Sequence, residues 1–283
     1  MPLLRGEQVV ERPADQASLT KRYTAEAVKF IKENRSKPFF LYFAHTFPHV
    51  PLFASAQFKG KSPRGLYGDA VEELDWGVGQ VLDALRQEKL AENTLVFFTS
   101  DNGPWLIQNE QGGSAGLLKE GKGSTWEGGM REPGLAWWPG KIKPGVVSRE
   151  LAGTMDIFAT CLTQAGASIP TDRVIDGVDM TPVLLGTGRS NRDTWFYYRG
   201  TQLYAVRKGA FKAHFITRSG YGKDGPEKHD PPLLYNLDHD AGEQFDVAKK
   251  HPEVVADIIR EVEKHREKLV PGKPQLEELI KSN

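Results

Sequence analysis

An aspartate and an asparagine stand side by side at the end of a strongly apolar run. The run from Thr94 to Thr99 is β-branched and aromatic and apolar on both faces, which is typical of a buried parallel strand. Asp101 and Asn102 follow at its carboxyl end, where open α/β sheets bind their ligands. Their oxygen atoms suit Ca²⁺ or Mg²⁺, so the pair is a candidate metal site. The alternative is a turn, because Asp-Asn-Gly-Pro is also common turn chemistry.

A lysine between two glycines lies in a second candidate segment. Residues 103–133 are rich in glycine, and Lys122 is flanked there by Gly121 and Gly123. Glycine lets the backbone come close to a ligand while the lysine ammonium group points at it. Lysine carries a compact charge that suits a tetrahedral oxyanion such as sulfate or phosphate. The alternative is a mobile surface loop.

Helices and strands that would position these residues alternate along the first part of the chain. Helical spacing of apolar residues predicts helices over residues 19–34, 67–90 and 154–166. Apolar runs predict strands over residues 38–44, 94–99 and 134–138. This alternation is typical of α/β proteins with a parallel or mixed central sheet.

The pattern changes after about residue 190. Short strands separated by glycine or basic turns are predicted over residues 195–198, 203–206, 210–215 and 233–237, before a charged amphipathic helix over 252–269. We therefore expect an α/β domain over residues 1–190 and a small α+β subdomain with an antiparallel sheet over 191–283.

Composition argues against several classes of function. Lys plus Arg equals Asp plus Glu at 37 each, so no basic field favours nucleic acid or an anionic membrane. The single cysteine, Cys161, cannot form an intrachain disulfide, and its apolar helical surroundings favour core packing. No apolar run reaches the ~18 residues of a membrane span, and the N-terminus has no apolar signal core. As given, the chain is expected to be cytoplasmic.

Several motifs, taken in order, resemble the sulfatase family. They are Thr-Ser-Asp-Asn-Gly at 99–103, Gly-Lys-Gly-Ser-Thr-Trp-Glu-Gly-Gly-Met-Arg-Glu-Pro at 121–133 and Trp-Trp-Pro-Gly-Lys-Ile at 137–142. His49, in Phe-Pro-His-Val-Pro, fits the same family. The resemblance covers nearly the whole chain and is strongest to arylsulfatases and N-acetylgalactosamine-6-sulfatases. It implies a truncated alkaline-phosphatase-like core joined to the C-terminal subdomain.

The resemblance also implies roles for single residues. Asp101 and Asn102 match the second pair of ligands to the family's Ca²⁺, sometimes Mg²⁺. Lys122 matches the lysine that binds the sulfate ester oxygens. His49 matches the histidine near the scissile oxygen, a candidate for protonating the leaving group because histidine exchanges its proton near neutral pH.

Other residues of the glycine-rich segment have weaker assignments. Trp105 and Trp126 are candidates to line a substrate pocket, with packing as the alternative. Glu127 and Arg131 are expected to hold the loop together through a buried ion pair. In the later subdomain His214, Tyr221 and His229 are weak candidates for substrate contacts.

The chain departs from the family in ways that affect the chemistry. Sulfatases use a formylglycine made from the first residue of a Cys-x-Pro-x-Arg motif, which is absent here, and Cys161 is followed by Leu-Thr-Gln. The family's two adjacent aspartates, which form its first metal pair, are absent too, as is the segment with its second lysine and histidine. The resemblance therefore implies the C-terminal portion of a sulfatase, with a weakly held metal and no formylglycine.

Functions from two classes remain open. The first is hydrolysis of aryl or sugar sulfate esters, with promiscuous hydrolysis of phosphate or carboxylic esters. The second is a catalytically silent fragment or pseudoenzyme that binds anionic glycans. A further possibility is that the missing half is encoded upstream of Met1.

Loss of the N-terminal half would also expose an apolar edge of the central sheet. We expect this edge to be covered by a homo-oligomer, by strand exchange between two copies, or by re-routed residues 1–21. A sulfated small molecule or glycan is the other expected partner.

Overall fold

A computed structural model of the chain describes residues 2–270. Met1 of the first predicted domain and residues 271–283 of the second lie outside the described residues. The α-helices are α1 (Leu19–Glu33), α2 (Gly65–Gln87), α3 (Glu127–Met130), α4 (Thr154–Gln164), α5 (Thr181–Leu184) and α6 (Pro252–Lys268). The strands are β1 (Leu3–Arg5), β2 (Gln8–Glu11), β3 (Val96–Thr99), β4 (Gly134–Trp137), β5 (Thr194–Arg199), β6 (Gln202–Lys208), β7 (Phe211–Thr217) and β8 (Glu227–Asn236). The long predicted helices are confirmed to within a few residues.

Contacts divide the chain into two compact units. The first comprises Met1–Val96, Ile107–Gly113 and Trp137–Lys141. The second comprises Phe97–Leu106, Ser114–Ala136 and Ile142–Asn283. The predicted domain boundary near residue 190 stays a prediction.

The core of the first unit lies between α1 and α2. Apolar side chains recur at helical spacing on both helices, so each helix has one face that must leave water. Ala27 and Ile31 of α1 meet Val81 and Leu85 of α2, and all four are buried. Val71, one turn before Leu74 in α2, is by contrast 38% exposed.

The strand predicted over residues 38–44 was wrong as a paired strand. No strand is assigned there, although the segment keeps the two-residue alternation of a strand. Phe39, Leu41 and Phe43 pack on the core between α1 and α2, whereas Phe40 is 71% and Tyr42 is 82% exposed. A strand needs a hydrogen-bonded neighbour, and none of the described residues supplies one.

The N-terminal segment does not pair with residues 38–44. Strands β1 and β2 form a two-stranded antiparallel sheet with each other, with Leu4 opposite Val9. In the part of the chain that the structure describes, residues 1–21 are therefore not re-routed to pair with a sheet edge.

The candidate metal pair follows strand β3, as predicted, but β3 is less enclosed than expected. It forms a two-stranded sheet with β4. Phe98 is 37% exposed, so the strand is not buried on both faces. A central strand becomes buried when neighbouring strands and helices cover it, and the described residues supply β4 alone as its partner strand.

The C-terminal antiparallel sheet is confirmed, with strand order β5-β6-β7-β8. One face, with Val206, Ala213 and Leu234, packs on Ile258 and Val262 of α6. The opposite face carries Lys212 and His214, because successive side chains of a strand alternate in direction. Both of these polar side chains are fully buried, which makes this face unusual.

No helix within residues 2–270 is long and apolar enough to cross a membrane.

Helix α4 turns part of its apolar side outward, since Met155 is 42% and Phe158 is 51% exposed. Its buried positions are instead Asp156, Ala159 and Thr160.

Candidate functional site

Two main-chain hydrogen bonds join the segment after β3 to the glycine-rich loop. The Lys122 amide donates to the Pro104 carbonyl at 2.9 Å, and the Gly103 amide donates to the Gly129 carbonyl at 3.1 Å. Asp101 and Asn102 directly precede this junction in the chain. The structure thus brings the predicted metal pair and the predicted anion-binding lysine to the same part of the second unit.

Glycines make this close approach possible. A Cβ atom on Gly103 would lie 1.9 Å from the Gly128 carbonyl oxygen, and one on Gly121 would lie 2.3 Å from that of Pro104. Neither distance is compatible with a side chain, since non-bonded carbon contacts begin above 3 Å. The glycines therefore allow the two segments to approach because they have no side chain, as predicted from the sequence.

The residues around Asp101 fit a divalent cation. The Asn102 amide nitrogen donates to Asp101 Oδ1 at 2.8 Å, so this pair is already in contact. Glu132 lies close by, and its buried Oε1 has no hydrogen-bond partner among the described residues. Burial, together with the negative charge of Asp101, raises the pKa of Glu132 to about 7, with only a partial offset from Ser100. Two carboxyl groups that disfavour each other's charge make a site that a cation would stabilise.

The same residues do not make a complete metal cage. Within residues 2–270, no group of three or more His, Cys, Asp or Glu side chains is placed to hold a metal ion. Ca²⁺ takes about six to eight oxygen ligands, and Asp101, Asn102 and Glu132 would supply only part of that number. The expectation of a weakly held metal therefore stays a prediction.

Lys122 is half-buried, and its ammonium nitrogen lies 5.0 Å from the centre of the Trp105 ring. This distance is within the range of a cation–π interaction, which holds the charge without neutralising it. Trp105, a predicted pocket residue, therefore does lie beside the predicted anion-binding group.

Trp126 has different surroundings. It is only 6% exposed, and its ring lies 4.1 Å from that of His214 and 5.8 Å from that of Tyr235. The Lys119 ammonium covers it at 3.7 Å. These contacts support the packing alternative for Trp126 rather than a place in a substrate pocket.

Four buried ionisable side chains fix the far side of the loop. Lys212 Nζ lies 2.9 Å from Glu127 Oε1 and 3.1 Å from Glu243 Oε1. It also donates to the Thr125 carbonyl at 2.8 Å. His214 Nε2 lies 2.7 Å from Glu243 Oε1, and Glu243 Oε2 accepts from the Glu127 amide at 2.7 Å. We call Lys212, Glu127, Glu243 and His214 the buried cluster.

The expected Glu127–Arg131 ion pair was wrong. In the part of the chain that the structure describes, the Glu127 carboxylate pairs with Lys212 and, at 3.8 Å, with Arg207. Arg131 is exposed and donates its main-chain amide to the Glu127 carbonyl at 2.8 Å. Glu127 does hold the loop as expected, but its partners come from the C-terminal sheet.

Burial decides the protonation of the buried cluster. It lowers the pKa of His214 to about 4, so the ring is neutral near pH 7. Burial alone would raise the pKa of Glu243, but the hydrogen bond from His214 and the charge of Lys212 outweigh it and lower that pKa. The Tyr197 hydroxyl donates to Glu127 Oε1 at 3.1 Å, and burial raises the pKa of Tyr197 well above its ordinary value.

His49 lies in the first unit, at a cavity of about 280 Å³ lined by apolar residues that include Leu19, Tyr23 and Phe47. Its Nδ1 lies 2.6 Å from the Val50 carbonyl oxygen. A carbonyl only accepts, so Nδ1 is the donor in this contact.

Cys161 is half-buried in α4, and burial raises the pKa of its thiol. A raised pKa leaves little thiolate near neutral pH, so this cysteine is a poor nucleophile. The expected core packing is thus not met, because Cys161 is only half-buried and belongs to none of the core clusters of the described residues.

Family models match most of the chain. The sulfatase model matches residues 5–167, and the model for the C-terminal region of aryl-sulfatases matches residues 190–283. This chain belongs to the sulfatase family.

Curated sulfatases are similar along almost all of this chain. The N-acetylgalactosamine-6-sulfatases of Canis lupus familiaris and Homo sapiens are each 44% identical to it over 92% of its length. Arylsulfatase A of Bos taurus is 41% identical over 93%. The chain spans 55% of the length of each of these sulfatases.

Solved sulfatase structures share the fold. PsFucS1 sulfatase from Pseudoalteromonas sp. has a TM-score of 0.83 and 29% identity, and the match covers 93% of this chain and 56% of that one. Ps i-CgsB, solved in complex with k-i-k-neocarrahexaose, has a TM-score of 0.76 and 30% identity over 93% and 57%. The sulfatase core and the C-terminal antiparallel sheet predicted from sequence are thus confirmed.

Sequence reasoning missed two features of the site. Glu132 has no role assigned from the sequence, although it follows Arg131 in the motif that resembles the sulfatase family. Tyr221 is only a weak candidate from the sequence, yet its ring lies 5.5 Å from that of Trp105. Both residues come next to the site through contacts distant in sequence, which no local pattern reports.

Proposed function

We propose that this chain binds sulfate esters of aryl alcohols or sugars at Lys122 and hydrolyses them slowly. The observation that carries the proposal is the 2.9 Å hydrogen bond from Lys122 to Pro104, which ties the lysine to the segment that follows Asp101 and Asn102. The sulfatase relatives support the substrate class. These 283 residues contain no Cys-x-Pro-x-Arg motif, and for these residues by themselves we also propose promiscuous hydrolysis of phosphate and carboxylic esters.

The chemistry can be written with water as the nucleophile. Water attacks sulfur and gives up one proton to solvent, the bond between sulfur and the ester oxygen breaks, and the departing oxygen takes up one proton, so that the products are the alcohol and hydrogen sulfate. Lys122 would bind the non-bridging oxygens and stabilise the charge that develops on them. The family resemblance alone makes His49 the candidate to deliver the proton to the leaving group.

A divalent cation would be held by Asp101, Asn102 and Glu132. Ca²⁺ or Mg²⁺ at these oxygens would polarise the ester as a Lewis acid. The buried, unpartnered Glu132 Oε1 is the observation that supports a cation there.

The test is hydrolysis of p-nitrophenyl sulfate, phosphate and acetate by the wild type, Asp101→Ala and Lys122→Ala. Each variant should lose about a hundredfold in rate, the scale on which a charge-stabilising group acts. Lys228→Ala is the matched control, because Lys228 is an exposed lysine of the same unit. Equal rates in the wild type and both site variants would remove the hydrolase proposal.

A second candidate function is a catalytically silent fragment that binds anionic glycans. The missing Cys-x-Pro-x-Arg motif favours it. It predicts no turnover of any ester, together with sulfate or glycan binding that weakens when Lys122 is replaced.

We further propose that a second copy of this chain pairs with residues 38–44. The segment has an outward apolar face and no charged residue between Lys37 and His45, so two copies can approach without like-charge repulsion. Antiparallel pairing centred on Leu41 would set Phe40 of each copy opposite Tyr42 of the other. Cross-strand aromatic pairs of this kind stabilise a sheet.

Light scattering after size exclusion tests the pairing. The wild type should have the mass of a dimer, and Tyr42→Lys should have that of a monomer. Val147→Lys, at another exposed apolar position, should leave the mass unchanged. A monomeric wild type at micromolar concentration would contradict self-pairing.

A further inference from the structure

An exposed tyrosine lies beside Trp105, the ring that also contacts Lys122. Tyr221 is 45% exposed, and its ring centre lies 5.5 Å from that of Trp105 at an angle of 36°. The Lys122 ammonium lies 5.0 Å from the Trp105 ring centre. The Lys122 charge and the Tyr221 phenol ring therefore both lie within 5.5 Å of the Trp105 ring centre, a distance close to the width of a sugar ring.

The loop that carries Tyr221 is fixed in place. The Arg199 guanidinium donates to the carbonyls of Ser219 and Gly220 at 3.1 Å and 3.2 Å. The Glu120 carboxylate accepts from the Ser219 hydroxyl at 3.4 Å and from the Gly220 amide at 3.5 Å. Charged groups on two sides thus hold the two residues that precede the tyrosine.

Close backbone contact also ties this loop to Lys122. A Cβ atom on Gly220 would lie 2.4 Å from the Lys122 carbonyl oxygen, so no larger residue fits there without movement. A Cβ atom on Gly123 would lie 3.2 Å from the Tyr221 ring. The position of Tyr221 is therefore set relative to Lys122 and does not depend on a flexible linker.

Tyr221 is a large aromatic side chain that is held in place with much of its surface in water. Burial of its ring therefore contributes little to the stability of the fold. Trp126 and Tyr235 of the same unit are buried at 6% and 5% exposure, whereas Tyr221 keeps 45% exposure although its loop is held by hydrogen bonds. A rigid aromatic surface beside a bound charge suits a ligand with one anionic and one apolar part, because it loses little conformational freedom on binding.

We propose that Tyr221 is a specificity-determining residue that packs against the pyranose ring of a sugar sulfate whose sulfate group binds Lys122. The apolar C–H face of a pyranose ring fits an aromatic surface, while its hydroxyl groups stay in water. The inference rests on the proposed anion-binding role of Lys122 and adds the part of the site that recognises the alcohol side of the ester.

Calorimetric titration of the full chain with inorganic sulfate and with N-acetylgalactosamine 6-sulfate tests this. Tyr221→Ala should bind the sugar sulfate about tenfold more weakly, the size of one aromatic contact, and should bind inorganic sulfate as the wild type does. Tyr221→Phe should keep the wild-type affinity for both. Phe245→Ala is the control, because Phe245 is an exposed aromatic residue of the same unit, and it should change neither affinity.

The outcomes separate the two proposals. Unchanged sugar sulfate affinity in Tyr221→Ala would overturn the role of Tyr221, as would an equal loss for both ligands, which would mean that the tyrosine only supports the loop. Unchanged affinity for inorganic sulfate in Lys122→Ala would instead overturn the anion site. Absence of sulfate binding by the wild type would overturn both.

Discussion

The Lys212 ammonium nitrogen lies 2.9 Å from Glu127 Oε1, and both side chains are buried. Lys212 belongs to strand β7, whereas Glu127 begins helix α3 at the end of the glycine-rich loop. An ion pair from which water is excluded depends on both partners, because either one alone would be a buried, uncompensated charge. The pair therefore locks the loop that carries Lys122 onto the C-terminal sheet.

Replacement of Lys212 by methionine should lower the free energy of unfolding by about 3–5 kcal/mol, because it leaves Glu127 and Glu243 buried together without their cation. Urea denaturation measures the loss. Lys208→Met is the matched control, since Lys208 makes partly exposed ion pairs with Asp257 and Glu261 and should cost less than about 1 kcal/mol. Equal losses in the two variants would contradict the importance given to the buried pair.

Acid should weaken the fold through His214. Its pKa falls from an ordinary 6.5 to about 4 in the folded chain, so the unfolded chain binds more protons between these values. The contribution to stability is complete above pH 6.5 and is lost as the pH falls toward 4, by roughly 3 kcal/mol in total. Urea denaturation at a series of pH values should show a shallower slope in His214→Gln. The exposed His239→Gln should keep the wild-type slope, and a wild type insensitive to pH in this window would refute the assignment.

Removal of the Glu132 carboxylate should weaken metal binding. Glu132→Gln keeps the shape of the side chain but removes its charge, so Ca²⁺ affinity measured by calorimetry should fall about tenfold or more. Glu110→Gln, at an exposed carboxylate, should leave the affinity unchanged. If Glu132→Gln binds Ca²⁺ as tightly as the wild type, Glu132 is not part of the site.

Gly103→Ala should separate the two halves of the site. The new methyl group would meet the Gly128 carbonyl at 1.9 Å, so the loop must shift and the hydrogen bond to Gly129 must lengthen. We expect a loss of about 2 kcal/mol or more in unfolding free energy, with weaker sulfate binding. Gly134→Ala has open space around it and should change stability by less than about 0.5 kcal/mol. A Gly103→Ala variant with normal stability would show that the loops are not held as closely as described.

The sequence indicates most of the regular structure because the signals are local. Apolar spacing locates α1 and α2, and alternation with glycine turns locates β5 to β8. Residues 38–44 show the limit of such signals: the alternation is present, but whether a strand forms depends on a neighbour that local sequence does not specify.

The site was predictable in part for the same reason. Asp101 and Lys122 lie within motifs that can be recognised, and the structure brings their segments together. The partners of Glu127 could not be read from the chain, because Lys212 and Glu243 are 85 or more positions away in sequence. Lys212 and His214 stand at alternate positions of a predicted strand. This spacing is the signal in the sequence that one face of the strand carries polar side chains.

The junction between the Asp-Asn segment and the Lys122 turn is made by peptide groups, which every residue type possesses. Substitutions in the intervening stretch can therefore change its side chains without separating Lys122 from the segment that carries Asp101 and Asn102. The sequence between the two segments can therefore diverge among related chains while these two main-chain hydrogen bonds are kept.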